Sequence, residues 1–378
     1  MLSRLRTALH TLQLIRPRSI AQLVKAGDDT RRELRDIVRA VKQLERQVSA
    51  VQTRQDELLQ HLEEVRIANL SAVLAEKLSL VTQKLDELGL RERQLRAVQR
   101  ADAKLDHRES ELDAILQPTA VVAHVRASIG SARLHVDPFP YAVVDNLLPD
   151  PLFDALIRGL PPAELFADRA VNKQQLAVPF DVAPRYGRRV WAFMAERVVP
   201  EAIAPAMIEK FASQITAWLR MSFPALGDHP LREVPMACSD GRIMLRRPGY
   251  YIRPHRDPKW GFLTCLLYLK RPGDDESWGT DLYRVTEDEE AKGAKPHWIA
   301  EEQCQLVERT AFRRNCALIF LNSTGAHSAH IPPDAQPADL ERYAYQFRVG
   351  AERETIQWLL ANMPEERRVF WEGKVASY

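Results

Sequence analysis

The sequence predicts an α+β protein: a long N-terminal coiled-coil helix followed by a jelly-roll domain with flanking helices. Three observations predict it. Every Phe, Trp and Tyr lies at Phe139 or beyond, so the first third lacks the large aromatic anchors of an ordinary globular core. Between Asp29 and Gln117 there is no proline and a single glycine, Gly89, so nothing in the backbone interrupts a helix. Beyond Arg242, short apolar segments alternate with turn residues, the spacing of a β-sandwich or jelly roll.

Residues 1–28 combine Arg4, Arg6, Arg16, Arg18 and Lys25 with spaced leucines and isoleucines. They read as a basic amphipathic leader, either solvated or in peripheral contact with an anionic membrane or a protein. No continuous apolar stretch or cleavage site makes it a secretory signal. Residues 29–117 are the coiled-coil segment. Leu34, Ile37, Val41, Leu44, Val48, Val51, Leu58, Leu62 and Val65 recur in steps of three and four, with Gln55 at the one polar seam position. A second register, Leu74, Leu78, Val81, Leu85, Leu88 and Leu95, is displaced by two residues, so the supercoil changes near Ala68 and Asn69. One helix cannot bury such a seam alone. A homo-oligomer through residues 34–116 is the expectation, and a lone charged helix packed on its own domain is the alternative.

Pro118 is expected to end the helix, and 118–136 to be a connector. The globular part, 137–351, opens with the strand-like Ala142-Val143-Val144. Helices are predicted near 151–159 and 202–221, then strands over 242–246, 261–269, 280–285, 316–322 and 342–349. Residues 352–378 form a C-terminal amphipathic helix and tail.

Lys and Arg number 53 against 51 Asp and Glu, a net charge of +2. That balance speaks against nucleic acid as a partner. The four cysteines include no CxxC pair, which argues against a zinc ribbon or a disulfide scaffold and for a reducing, cytoplasmic setting. No apolar run approaches the roughly 20 residues of a membrane span.

The chemistry-bearing segment is His255-Arg256-Asp257. Two residues apart on an extended chain, the imidazole and the carboxylate point to one side. One more imidazole completes a two-histidine, one-carboxylate face, which holds Fe(II) and leaves coordination positions open. His-x-Asp alone is a weak signal, and His135-Val136-Asp137 repeats it, but two prolines follow that copy and no later segment answers it. The segment answering His255 is the apolar strand Cys316 to Asn322, followed by a turn with His327 and His330. His327 comes sooner after the strand and is the expected third ligand; His330 is the alternative.

Several blocks then stand in a familiar order: Pro248-Gly249-Tyr250-Tyr251, His255-Arg256-Asp257, Leu263 to Leu269 ending in Tyr268, Trp278 to Tyr283, His327, and Arg342-Tyr343-Ala344. On these residues the chain resembles the Fe(II)- and 2-oxoglutarate-dependent oxygenases, in particular the prolyl-4-hydroxylase-like branch. The resemblance covers 138–350 loosely and 242–350 well. It implies a double-stranded β-helix with His255, Asp257 and His327 as iron ligands and as the catalytic centre. It also implies that Arg342 and Tyr268 hold the remote carboxylate of 2-oxoglutarate, and that the activity is hydroxylation with O2, releasing succinate and CO2. A guanidinium suits that carboxylate because it stays charged and can bind both oxygens.

Two departures bear on the substrate. Arg246-Arg247 stand where relatives carry a tyrosine before the Pro-Gly turn, and Arg348 replaces an aromatic on the strand face of Arg342. Unpaired guanidinium groups there, with Tyr251 beside them, predict an anionic substrate bound by Arg247, Arg348 and Tyr251; neutralisation by Asp274, Asp275, Glu276 or Asp281 predicts the opposite. Two rival readings remain at this stage. A cupin-type metal isomerase or epimerase would have no need of Arg342 and Tyr268. A coiled-coil scaffold with a binding-only barrel would leave His327 away from His255 and Asp257.

Overall fold

A computed structural model describes residues 37, 39–55, 68–169, 173–177, 183–239, 241–257, 260–286, 298–322, 324–365 and 368. The leader 1–28, seam residues Leu34, Leu58, Leu62 and Val65, and the acidic loop after Thr286 lie outside the described residues. The chain divides into two compact units, Met1–Arg96 and Ala97–Tyr378.

The first unit is helical where it is described: α1 (39–55) and the greater part of α2 (Ala68–Leu105). Apolar side chains at Val41, Val51, Val81, Leu85 and Leu88 are exposed. Among the described residues, no helix is long and apolar enough to cross a membrane.

In the second unit the helix stops earlier than the sequence predicts. α2 ends at Leu105 and gives way to a 3-10 turn, Asp106–Glu111, with no proline present. Tertiary contacts explain the break. The Asp102 carboxylate accepts the backbone N–H of Arg185 at 2.7 Å, and Asp106 and Asp113 pair with Arg185 and Arg189. These acids cap and bind α5 (Arg185–Phe193), a helix the sequence reading missed. Pro118 likewise does the reverse of what is predicted: it opens α3 (Pro118–Ser131), because the first turn of a helix needs no N–H from that residue. Val121, Val125 and Ile129, one helical face, are buried in the main core, so 118–136 is a structural helix rather than a connector. α4 (Asp150–Arg158), α6 (Ala204–Lys210) and α7 (Ala212–Ser222) pack there too, and α8 (Arg353–Ala361) adds Leu359.

The strands form two antiparallel sheets. The larger contains β1 (Leu134–His135), β2 (Tyr141–Val144), β3 (Ala167–Arg169), β4 (Lys173–Ala177), β5 (Met236–Cys238), β6 (Arg242–Arg246), β8 (Leu263–Tyr268), β11 (Cys316–Leu321) and β13 (Arg342–Ala351). Its order is β1-β2-β11-β8-β13-β6-β4-β3, with β5 on the far end of β13. The smaller contains β7 (Tyr251–His255), β9 (Thr280–Val285), β10 (Cys304–Thr310) and β12 (Ala326–His330), in the order β10-β9-β12-β7. The arrangement is jelly-roll-like.

Alternation along the central strands sorts the side chains. Leu263, Cys265 and Leu267 of β8 and Tyr343, Tyr345, Phe347 and Val349 of β13 join the helices in the main core. The opposite parity of both strands turns inward: Leu266, Tyr268 and Ala344 join Leu282 of the smaller sheet in a second apolar cluster. Because both faces are covered, β11 reads as an uninterrupted apolar run and β8 as one broken only by Thr264, rather than as alternating strands. Arg342, Gln346 and Arg348 share the inward face of β13, the parity of Ala344.

Candidate metal centre

His255 is the last residue of β7 and His327 the second of β12, and the two are direct partners across the antiparallel ladder. That register puts their ring centroids 4.2 Å apart. A bulge follows His327, and Gly325, just before the strand, has φ of +71° and no room for a Cβ against Phe139. β12 is thus a strand, where the sequence suggests a turn. Its Ala-His-Ser-Ala-His composition carries no strand signal of its own, and pairing with β7 and β9 supplies the conformation.

Asp257, two residues past His255, completes the cluster. Its Oδ1 lies 3.9 Å from His255 Nε2 and 4.0 Å from His327 Nε2, with all three side chains buried. One ligand atom from each lies within 4.8 Å of the others. His330 stands outside this group, half exposed, with Nδ1 4.0 Å from Asp281. His255 Nδ1 donates to the Arg253 carbonyl at 2.9 Å, which leaves Nε2 with its lone pair facing the cluster.

The other oxygen of Asp257 is heavily engaged. Oδ2 accepts from Thr264 Oγ1 at 2.6 Å, Arg348 Nε at 3.1 Å and Gln346 Nε2 at 3.5 Å, while Arg348 Nη2 donates to Oδ1 at 2.9 Å. Burial by itself would push the Asp257 carboxyl up. The Arg348 guanidinium and the two imidazoles override it, and hold the carboxyl well below the usual carboxylate range. Asn322 Nδ2 donates to Thr264 Oγ1 at 2.8 Å, directing the Thr264 hydroxyl proton to Asp257.

A second polar feature lies in the same barrel. The Arg342 guanidinium is buried, 4.4 Å from the Phe312 ring centroid and 5.8 Å from that of Tyr268, and its Nη2 donates to the Gly279 carbonyl over a long 3.4 Å. Its Nε has no hydrogen-bond partner, and no carboxylate of the described residues lies within ion-pair distance. Burial draws its pKa down to about 10, which still leaves it a cation at neutral pH. Tyr268 is beside it, its hydroxyl 2.8 Å from both Thr280 Oγ1 and Thr310 Oγ1, and burial pushes its pKa up so that it stays neutral. A buried, unneutralised guanidinium with an orphaned donor fits an anionic group. Two imidazoles and a carboxylate fit a first-row divalent ion. The residues present therefore suit both Fe(II) and a dicarboxylate such as 2-oxoglutarate.

The substrate expectation is corrected. Arg247 pairs with Glu341 at 3.1 Å, Arg348 is clamped to Asp257, and the Tyr251 hydroxyl is bonded to Glu301. Neither arginine is an unneutralised cation, and the Tyr251 hydroxyl is already engaged, so the basis on which an anionic substrate is expected is gone. The acids responsible are not the expected ones: Asp274 faces Arg271 and Asp281 faces Arg309. Sequence reasoning also missed Thr264, Gln346, Thr280 and Thr310. Even spacing was the available signal for two of them, Gln346 from Arg342 on β13 and Thr264 from Tyr268 on β8.

No family model and no curated protein matches this chain. Solved structures do. A prolyl-4-hydroxylase of Pseudomonas putida is similar at 14% identity and a TM-score of 0.32, over 60% of this chain and 99% of that one. AviO1 of Streptomyces viridochromogenes Tue57 is similar at 13% identity and a TM-score of 0.35, over 63% and 96%. HygX of Streptomyces hygroscopicus, solved with nickel, 2-oxoglutarate and hygromycin B, is similar at 12% identity and a TM-score of 0.32, over 56% and 83%.

Proposed function

We propose that this chain is an Fe(II)- and 2-oxoglutarate-dependent dioxygenase that hydroxylates an as yet unidentified substrate and releases succinate and CO2. One observation carries the reading: the buried His255, Asp257 and His327 cluster shares a barrel with a buried arginine whose charge no described carboxylate neutralises. The order of motifs around them supports it.

In this reading His255, Asp257 and His327 hold the iron. Arg342 holds the remote carboxylate of 2-oxoglutarate, and Tyr268 orients beside it. Together the iron and 2-oxoglutarate supply oxidation by O2, one oxygen atom going to succinate and the other to the substrate carbon. The protein's part is positioning and exclusion of water. His255 presents Nε2 because Nδ1 is occupied, Asp257 stays ionised because Arg348 faces it, and Phe312, Phe320 and Leu266 keep the chamber apolar.

A cupin-type isomerase leaves the buried charge of Arg342 without a purpose. A binding-only barrel gives no reason for His327 to lie against His255. Fold analogy does not choose the substrate.

Succinate release from 2-oxoglutarate with Fe(II) and O2 is the direct test, with candidate substrates added in turn. Slow release without substrate, lost in Arg342→Ala, is the expected result. A wild-type chain that binds Fe(II) but never 2-oxoglutarate would sink the reading. The exposed apolar residues of α1 and α2 support a second part of the proposal, self-association through residues 34–116.

A further inference from the structure

Arg348 is placed with more care than a charge neighbour requires. Its backbone is pinned on both sides by Ser239: Arg348 N–H donates to Ser239 Oγ at 3.0 Å and Ser239 N–H to the Arg348 carbonyl at 2.8 Å. Its aliphatic stem fills space left by Gly261, where an added Cβ would lie 2.5 Å from Arg348 Cδ and 3.1 Å from its Cβ. Its planar fork then meets Asp257 with two nitrogens, Nε to Oδ2 and Nη2 to Oδ1. Thr264 and Gln346 add to Oδ2 and not to Oδ1. The carboxylate is thereby given two unequal oxygens: Oδ1 faces both imidazoles, and Oδ2 is saturated by three donors.

We propose that Arg348 is a positioning residue that restricts Asp257 to one ligating oxygen, keeping the adjoining face of the metal centre open for the cosubstrate. The inference rests on the metal-centre reading above. Its physical basis is that a carboxylate free to turn can offer both oxygens to a divalent ion, and each oxygen so used fills one coordination position. A fork bound to both oxygens removes that freedom. A lysine keeps the charge but offers no such fork.

The test uses the full chain loaded with Co(II), whose visible absorption reports coordination number, in wild type, Arg348→Lys, Arg348→Met and Gly261→Ala, with thermal melts to establish folding. All three variants are expected to retain Co(II), to differ from wild type in Co(II) absorption before any 2-oxoglutarate is added, and to bind 2-oxoglutarate about 10–100-fold more weakly. Gly261→Ala leaves every charge in place and displaces only the stem of Arg348, so it stands in should Arg348→Met fail to fold. A wild-type spectrum and wild-type 2-oxoglutarate affinity in Arg348→Lys would mean that charge alone matters and would overturn the proposal. Unchanged absorption in all folded variants would overturn it as well. If wild type binds Co(II) but not 2-oxoglutarate, the oxygenase reading fails, and the comparison of Co(II) spectra still decides the role of Arg348.

Discussion

Arg342 and His327 are the residues at which single substitutions separate cosubstrate from metal. If Arg342 holds 2-oxoglutarate as proposed, Arg342→Ala removes a buried, charge-assisted contact and should weaken 2-oxoglutarate binding by about 2–5 kcal/mol while leaving His255, Asp257 and His327 untouched. Isothermal titration of 2-oxoglutarate into the metal-loaded protein measures the first quantity, and titration of Co(II) the second. His327→Ala should instead reduce Co(II) affinity by more than the roughly 10–100-fold typical of outer partners. His330→Ala should leave it unchanged, since His330 lies outside the cluster, near Asp281. Equal losses in the two histidine variants would contradict the placement of the third ligand. His255 and Asp257 were legible in the sequence because alternation on an extended chain puts both on one side. The partners of Arg348 and Arg247 were not, since Asp257 lies 91 positions from Arg348 and Glu341 lies 94 from Arg247. Two charges that far apart along the chain meet only through the packing of the sheets, which brings the strand ends and loops beside them together.

The turn into β12 is where a local conformation is required by an element. Gly325 has a positive φ, and an added Cβ would collide with Phe139 Cδ1 and with the Tyr283 carbonyl oxygen. Gly325→Ala should therefore destabilise the fold by about 1–2 kcal/mol from backbone conformation alone, with a further loss from the collision. Urea unfolding of the apo protein gives the total. Phe139→Ala in the same chain should relieve the ring's share of the collision and leave the contact with the Tyr283 carbonyl and the conformational part. At this scale the sequence was legible unevenly. β6 and β9 run over the residues that alternation and turn signals indicate, 242–246 and 280–285. β12 and the short β3 and β4 were not legible, because short polar segments become strands only when a neighbouring strand offers them a ladder. Pro118 misleads for a related reason: proline is compatible with both the end and the start of a helix, and the buried face of α3 decides between them.

For the whole molecule, the expectation concerns assembly. The exposed seam of α1 and α2 should make the full chain sediment as an oligomer, and Val48→Asp combined with Leu58→Asp should dissociate it while the barrel keeps its Co(II) affinity. A wild-type chain that sediments as a monomer would refute this. The full chain is the appropriate sample, since the second compact unit begins at Ala97 and Leu112 is buried in its core. What the sequence by itself determined is whatever depends on residue order over a few positions. That includes the segregation of aromatic residues, the helical seam, the shared face of Arg342 and Arg348 on β13, and the pairing of His255 with Asp257 on one side. Only the tertiary structure decided where α2 stops, that 118–136 belongs to the core, that His327 rather than His330 meets His255, and that Arg348 is spent on Asp257 instead of a substrate. The physical reason is range. Periodicity and turn chemistry act between near neighbours, whereas a buried charge is settled by whichever opposite charge the packed sheets bring within about 3 Å of it.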